Sequence, residues 1–361
     1  MRRVSLDQVQ PGMVLGKSIL GGSGQVLLNN GIKMKPQYLY YLKKLGIEVI
    51  YIEDSRMKDV EFRDLIKEET RQEARSQVKE IFSGLKNSDS SFKGFAVKEK
   101  KVIETVSKII EEVLENKEIT AQLMDIRSMD DYLFAHSVNC CVLATLTGAN
   151  MNFDQKTLKN LALGALLHDI GLASVPCSIL KKTGPLTRDE YKIVKNHPLY
   201  GHDSFKKISV YSPGAATLIL QHHERWQGQG YPQGLEGKNI NFLAHIIAVA
   251  DAYDAMTSER PYRKAYQPHQ AVEMLMSQGD KSFNLDVLRQ FLYNISAYPL
   301  GSLVFLSNEE GGLVIANNPG LTLRPVVRII YKGKDMCPHP SPYDLDLSEV
   351  LNLVIERVIN H

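Results

Sequence analysis

The stretch "NFLAHIIAVADAYDAM", residues 241–256, is apolar on nearly every side of a helix, yet Asp251 stands in the middle of it. A buried carboxylate is costly unless it is paired or holds a cation. This one residue restricts the fold more than any composition figure does, because whatever packs around the helix must bring it a partner. The same conflict recurs along the chain. His168 and Asp169 follow "LALGALL" and precede Ile170. His222 shares a helical face with Leu218 and Ile219, and His223 with Ile219 and Leu220. His136 lies inside "DDYLFAHSVNCCVLA", and His197 near the end of a helix that begins at Thr187.

Taken singly, a histidine on an apolar face is more often a satisfied core residue than a ligand. Together these are five histidines and two aspartates in one helical region, mostly at inward positions. Imidazole and carboxylate donors suit iron, manganese, zinc or nickel rather than a thiolate site. Seven donors exceed the four of a typical zinc site and point to two metals. Neighbours on a helix point about 100° apart, so His168 and Asp169, or His222 and His223, serve different ions or different sides of one cluster.

The rest of the chain frames this region. Residues 1–54 read as a small β-rich unit, with "MVLGKSIL" and "GQVLLNN" around a "GGSG" break, a short helix stopped by Gly46, and a strand "IEVIYIE". Residues 55–97 read as a charged helical connector, patterned as a solvated helix and broken at "NSDSSFKG". Residues 98–299 carry helical apolar stripes almost throughout. Thr187 and Glu190 stand at capping-box spacing, and Ser212 with Pro213 forms a second helix start. Residues 300–361 turn β-rich again, with three short strands and a final amphipathic segment, "LSEVLNLVIERVI", read as a helix.

Charge narrows the function classes. Lys and Arg number 43 against 41 Asp and Glu, so nothing argues for binding a nucleic-acid polymer. The apolar windows are interrupted by acids and histidines, which argues against membrane insertion, and no signal peptide is legible. Cys140 and Cys141 are neighbours and Cys177 and Cys337 are scattered, a pattern of free thiols that suits a cytoplasmic protein.

The pair "HDIG" at 168–171, with "HS" at 136–137 and Asp251 downstream, resembles the HD superfamily of metal-dependent phosphohydrolases. "GYP" at 230–232 within "HHERWQGQGYPQGL" narrows the resemblance to the HD-GYP family, and it continues through "ILKKTGPLTRDE", "HPLYG" and "VADAYDAMTSERPYRKA". It implies a mainly α fold, an HD-type helical bundle with small β-rich domains at both ends. It implies a bacterial signalling phosphodiesterase that hydrolyses cyclic di-GMP to pGpG or on to GMP. The implied cofactors are two divalent ions, iron or manganese ahead of zinc or nickel. By motif, His136, His168, Asp169 and Asp251 form the HD-type metal set. His197, His222 and His223 complete the second metal, and Asp169 bridges both ions and the hydroxide they activate. Tyr231, Arg260 and Arg263 are the implied substrate contacts.

The chain also departs from the family. Leu172 replaces the lysine of "HDIGK", Tyr132 stands where members with a third metal carry an acid, Gln227 replaces a loop aspartate, and His245 stands where arginine is common. These departures keep alternatives open: a weakly active or inactive cyclic di-GMP-binding effector, or a phosphohydrolase for another cyclic dinucleotide or nucleotide. A homodimer or a signalling-protein partner is also open. Cys140, Trp226, His202 and His269 read as packing or surface residues.

Overall fold

In this computed structural model the described residues are 1–21, 25–86, 95–121, 132–182, 184–207, 212–258 and 265–359. The breaks expected at "GGSG" beyond Gly21 and at "NSDSSFKG" lie outside them. The centre is a helical bundle. Helices α2 (Glu68–Lys86), α3 (Phe95–Glu115), α4 (Tyr132–Asn150), α5 (Gln155–Leu166) and α6 (Cys177–Leu180) lead into α7 (Arg188–Lys195) and α8 (His197–Phe205). They are followed by α9 (Pro213–Gln221), α10 (Phe242–Thr257), α11 (Pro268–Ser277) and α12 (Leu285–Tyr293). Asp154 caps α5 by accepting from the Thr157 amide, Ser212 caps α9, and the Thr187–Glu190 capping box starts α7. Helix α4 is buried from Ala135 to Ala149. Its length and apolarity would suffice to cross a membrane, but 83% of the relevant window is buried inside the protein, as expected of a core helix.

Helix α2 corrects one expectation. Rather than being solvated on all sides, it buries Thr70, Arg71, Ala74, Gln77, Val78 and Ile81 against the bundle. Those positions recur at helical spacing and make one face, but four of the six are polar or small, so the stripe was hidden among charges. The connector is part of the core.

The N-terminal unit has its own apolar cluster around Leu15, Ile19, Leu42 and Ile50. It contains β1 (Arg2–Ser5) paired antiparallel with β4 (Val49–Ile52), the small hairpin β2 (Ile19–Leu20) and β3 (Val26–Leu28), and α1 (Pro36–Lys44). At the other end, β5 (Leu303–Leu306), β6 (Glu310–Ala316), β7 (Val326–Lys332), β8 (Cys337–Asp346) and β9 (Ile355–Ile359) form an antiparallel sheet in the order β8-β7-β6-β5-β9. Two elements there differ from the sequence reading. Strand β8 carries Pro338, Pro340 and Pro342, which hid it, yet it is an edge strand, where the missing amides cost no ladder bond.

The expected final helix does not form. Residues 355–359 are a strand that pairs β5 from Leu303↔Ile359 to Leu306↔Ile355. The carbonyls of Leu347, Val350, Leu351 and Leu353 accept from the Arg324 guanidinium. Arg324 thus supplies the donors that helical amides would have supplied.

The two ends of the chain meet. Arg328 of β7 donates to both carboxylate oxygens of Asp59 at 2.7 and 2.8 Å and to both of Asp344 at 2.7 and 2.9 Å. Arg56 pairs with Asp54 and lies over the Tyr331 ring. Met57 packs with Leu303, Leu313 and Ile330 beneath this seam.

Candidate metal centre

Five elements of the bundle deliver polar side chains to one place. His136, in the second turn of α4, and Asp251, past the middle of α10, come together, His136 Nε2 lying 3.2 Å from Asp251 Oδ1. Helix α5 ends at Leu166, so His168 and Asp169 sit where the chain turns into a 3-10 segment, Ile170–Ser174. His197 opens α8, and His222 and His223 follow the last turn of α9. Each of these places is a helix interior facing the core or a helix end aimed at it.

The close approach of α8 depends on Gly171. A Cβ there would lie 1.9 Å from the His197 carbonyl oxygen and 2.4 Å from the Gly201 nitrogen, so no other residue fits. Gly230 is under the same constraint, with the backbones of Glu224 and Arg225 2.4 Å from where its Cβ would be.

The donors fall into two groups, each with its ligand atoms within 4.8 Å of one another: His136, Cys140, His168 and Asp251, and Asp169, His197, His222 and His223. Asp169 faces both. Its Oδ2 lies 3.4 Å from His168 Nε2 and 3.9 Å from His136 Nε2, while its Oδ1 lies 3.1 Å from His197 Nε2 and 3.9 Å from His222 Nε2. Asp251 is divided likewise, Oδ1 toward His136 and Oδ2 3.6 Å from His223 Nδ1.

The chemistry of the donor set fits a metal. The Nδ1 atoms of His168, His197 and His222 each lie 2.8 Å from the carbonyl oxygen three residues earlier. A carbonyl only accepts, so each Nδ1 carries the hydrogen and each Nε2 of a neutral ring is a lone pair. Two of those lone pairs, on His197 and His222, face each other at 3.2 Å. That of His168 is buried with no hydrogen-bond partner. Converging lone pairs repel unless a cation lies among them.

The proton affinities agree. Burial opposes charging His168, yet Asp169 beside it raises its pKa. Burial likewise opposes His136, yet Cys140, Tyr132 and the bonds from Asp251 and Asp254 raise it well above its ordinary value. Burial would raise Asp169, but His168 and His197 hold it well below the usual carboxylate range. His223 is pushed down to about 3 by burial. Burial thus holds His222 and His223 in the neutral form, which is the state that ligates.

The structure brings His136, His168, Asp169, His197, His222, His223 and Asp251 together. Tyr231 adjoins them, its ring stacked on His223 at 4.6 Å. Arg260 and Arg263 lie outside the described residues. Tyr132 stacks on His136 at 5.5 Å. Gln227 points away from the cluster and donates to the Asp280 carbonyl at 3.0 Å, anchoring the loop.

Three residues, Cys140, Asp254 and Glu224, were missed or discounted. Cys140 is fully buried, as a packing thiol should be, but its Sγ belongs to the first donor group, 3.7 Å from His136 Nε2. Asp254 accepts from His136 Nδ1 at 2.7 Å and from Asn139 Nδ2 at 2.7 Å. Glu224 is buried and accepts from the amides of Gln233 and Leu235, closing the loop that carries Tyr231. The signal for Asp254 was available, since it is a second carboxylate in the same apolar helix, one turn past Asp251.

The chain is similar to proteins already known. An HD domain family matches residues 105–287, about half of the chain, and a "KOW domain associated with HD domain" matches residues 303–361. A cyclic di-GMP phosphodiesterase of Pseudomonas aeruginosa is 33% identical over 236 residues, 65% of this chain and 57% of that protein. One of Borreliella burgdorferi is 28% identical over 233 residues, 64% of this chain and 60% of that protein. The chain therefore spans less than two thirds of the length of these relatives. Among solved structures, an HDG"Y"P protein from Bdellovibrio bacteriovorus aligns over 80% of this chain and 97% of its own, at 17% identity and a TM-score of 0.49. With the HD pair at 168–169 set at the centre of the donors and "GYP" at 230–232 beside it, the chain belongs to the HD domain family, in its HD-GYP branch.

Proposed function

We propose that this protein is a metal-dependent phosphodiesterase that opens cyclic di-GMP to pGpG, with one divalent ion, iron or manganese, in each donor group. The observation that carries this reading is the division of the Asp169 carboxylate, with one oxygen toward each group. His136, His168 and Asp251 would hold the first ion, His197, His222 and His223 the second, and Asp169 would contribute to both. Bound ions supply a nucleophile at neutral pH and neutralise the charge that builds on the phosphoryl oxygens.

The chain's own residues do the rest. Backbone carbonyls hold the imidazoles in the ligating tautomer. Tyr231, fixed against His223, offers a flat ring beside the centre on which a guanine stacks. The Lys195 ammonium, 5.1 Å from the Tyr231 ring and 5.0 Å from that of Tyr191, places a positive charge at the same side for a phosphate. Arg260 and Arg263 add guanidinium forks for phosphate by the family motif.

A second reading is a cyclic di-GMP-binding effector with little turnover. It rests on Leu172, an apolar residue in the 3-10 segment that follows Asp169, where the family places a lysine. Purified protein incubated with cyclic di-GMP and Mn²⁺ or Fe²⁺ under reducing conditions separates the two. Linear product formed by the parent and lost in Asp169→Ala supports the enzyme. Tight binding without product supports the effector. Product from a different cyclic dinucleotide alone moves the substrate assignment.

A further inference from the structure

A line of buried hydrogen bonds runs from α2 to the metal centre. Arg71 Nη1 donates to Asn139 Oδ1 at 3.0 Å, and Asn139 Nδ2 donates to Asp254 Oδ1 at 2.7 Å. Asp254 Oδ2 accepts from His136 Nδ1 at 2.7 Å. Arg71 is 6% exposed, His136 2%, and Asn139 and Asp254 not at all. Helix α2 lies outside the residues matched by the HD family.

We propose that Arg71 is a positioning residue for the metal ligand His136, so that α2, which joins the N-terminal unit to the bundle, sets metal binding at the first donor group. The inference rests on the metal reading above. The argument is one of direction. An arginine only donates, so Arg71 forces the Asn139 amide to present its oxygen to α2 and its nitrogen to Asp254. Asp254 is thereby held with an oxygen on His136 Nδ1. The His136 ring is fixed as the Nδ1–H tautomer, its Nε2 turned toward Asp251. Without Arg71 the Asn139 amide is free to flip, and an oxygen then faces the Asp254 carboxylate. Partners of this kind are worth about 10- to 100-fold in metal affinity.

The test compares the parent with Arg71→Met, Arg71→Lys and Asn139→Ala. It reads Mn²⁺ affinity by calorimetry, the paramagnetic signature of the bound ions, and the melting temperature of the metal-free protein. Arg71→Met is expected to weaken one of two ions about 10-fold or more. The spectrum then passes from a coupled pair to an isolated ion, and Arg71→Lys restores part of the affinity. Arg71→Met combined with Asn139→Ala is expected to bind no more weakly than Asn139→Ala alone, because both break one line. If Arg71→Met does not fold, Arg71→Gln, polar but shorter, takes its place with the same expected loss. Variants that melt earlier yet hold both ions at parental affinity overturn the proposal, as do losses that simply add. A parent that binds fewer than two ions overturns the metal reading as well.

Discussion

The metal centre and the seam between the two chain ends are both dense in charge, and they are built on opposite terms. At the seam every guanidinium has its carboxylate: Arg328 holds Asp59 and Asp344, and Arg56 holds Asp54. In the centre two carboxylates face five imidazoles, and lone pairs point at one another. The first arrangement is complete within the protein and contributes cohesion. The second leaves lone pairs without donors, a lack that cations would fill. A cluster of titratable groups marks a function when its charges do not close among themselves.

The sharpest break between the two regions comes from Asp169→Ala set against Arg328→Ala. The first is expected to lower turnover by about three decades, the worth of several kcal/mol of charge stabilisation, and to lose most of the rise in melting temperature that added metal gives the parent. The second is expected to melt several degrees earlier and to keep its turnover within about twofold, since Arg328 touches nothing in the centre. Turnover assays and calorimetric melting on both variants decide it. If Asp169→Ala keeps its turnover, the centre is structural after all.

Metal addition gives the next effect. Mn²⁺ at about 100 times its dissociation constant should stabilise the parent by about 2.7 kcal/mol per ion. Chelation should reverse the gain, and Arg328→Ala should show the same gain. A parent whose melting does not respond to the metal removes the contrast.

Tyr231→Ala is expected to raise KM about 10-fold with a smaller change in kcat, as loss of a stacking face does. An equal fall in kcat and kcat/KM would instead place the ring in the chemical step.

The seam's own dependence on pH is the smallest effect. Hydrogen bonds from Arg328 hold Asp59 at about 2, below its ordinary 3.8. A carboxyl depressed on folding stabilises fully above its unfolded value, so this contribution is present above about pH 4 and is lost as the pH falls through 2. The parent should therefore lose stability across that window faster than Asp59→Asn, as denaturant titrations can read.

Much of the centre was legible in the sequence because its residues violate the apolar pattern around them. Asp251 inside "IIAVADAYDAM" and His168 after "LALGALL" announce themselves by cost. Asp254 and Asn139 sit in the same kind of surroundings, but each has an ordinary reading as a helical polar residue, and only distance shows the pairing. Arg71 was illegible because its partner is 68 residues away and its helix looks solvated. The ends failed for a different reason. "NLVIERVI" satisfies a helical stripe and a strand alternation equally well. The choice fell to Arg324 and to the open edge of β5, both remote in sequence.

Gly171 carries a last consequence. The approach of α8 to the HD pair is backbone on backbone, with no side chain between that could yield. The spacing of the two elements that carry Asp169 and His197 is therefore set by a backbone contact. A side chain at 171 would part the two elements that carry Asp169 and His197 before it disturbed anything else in the bundle.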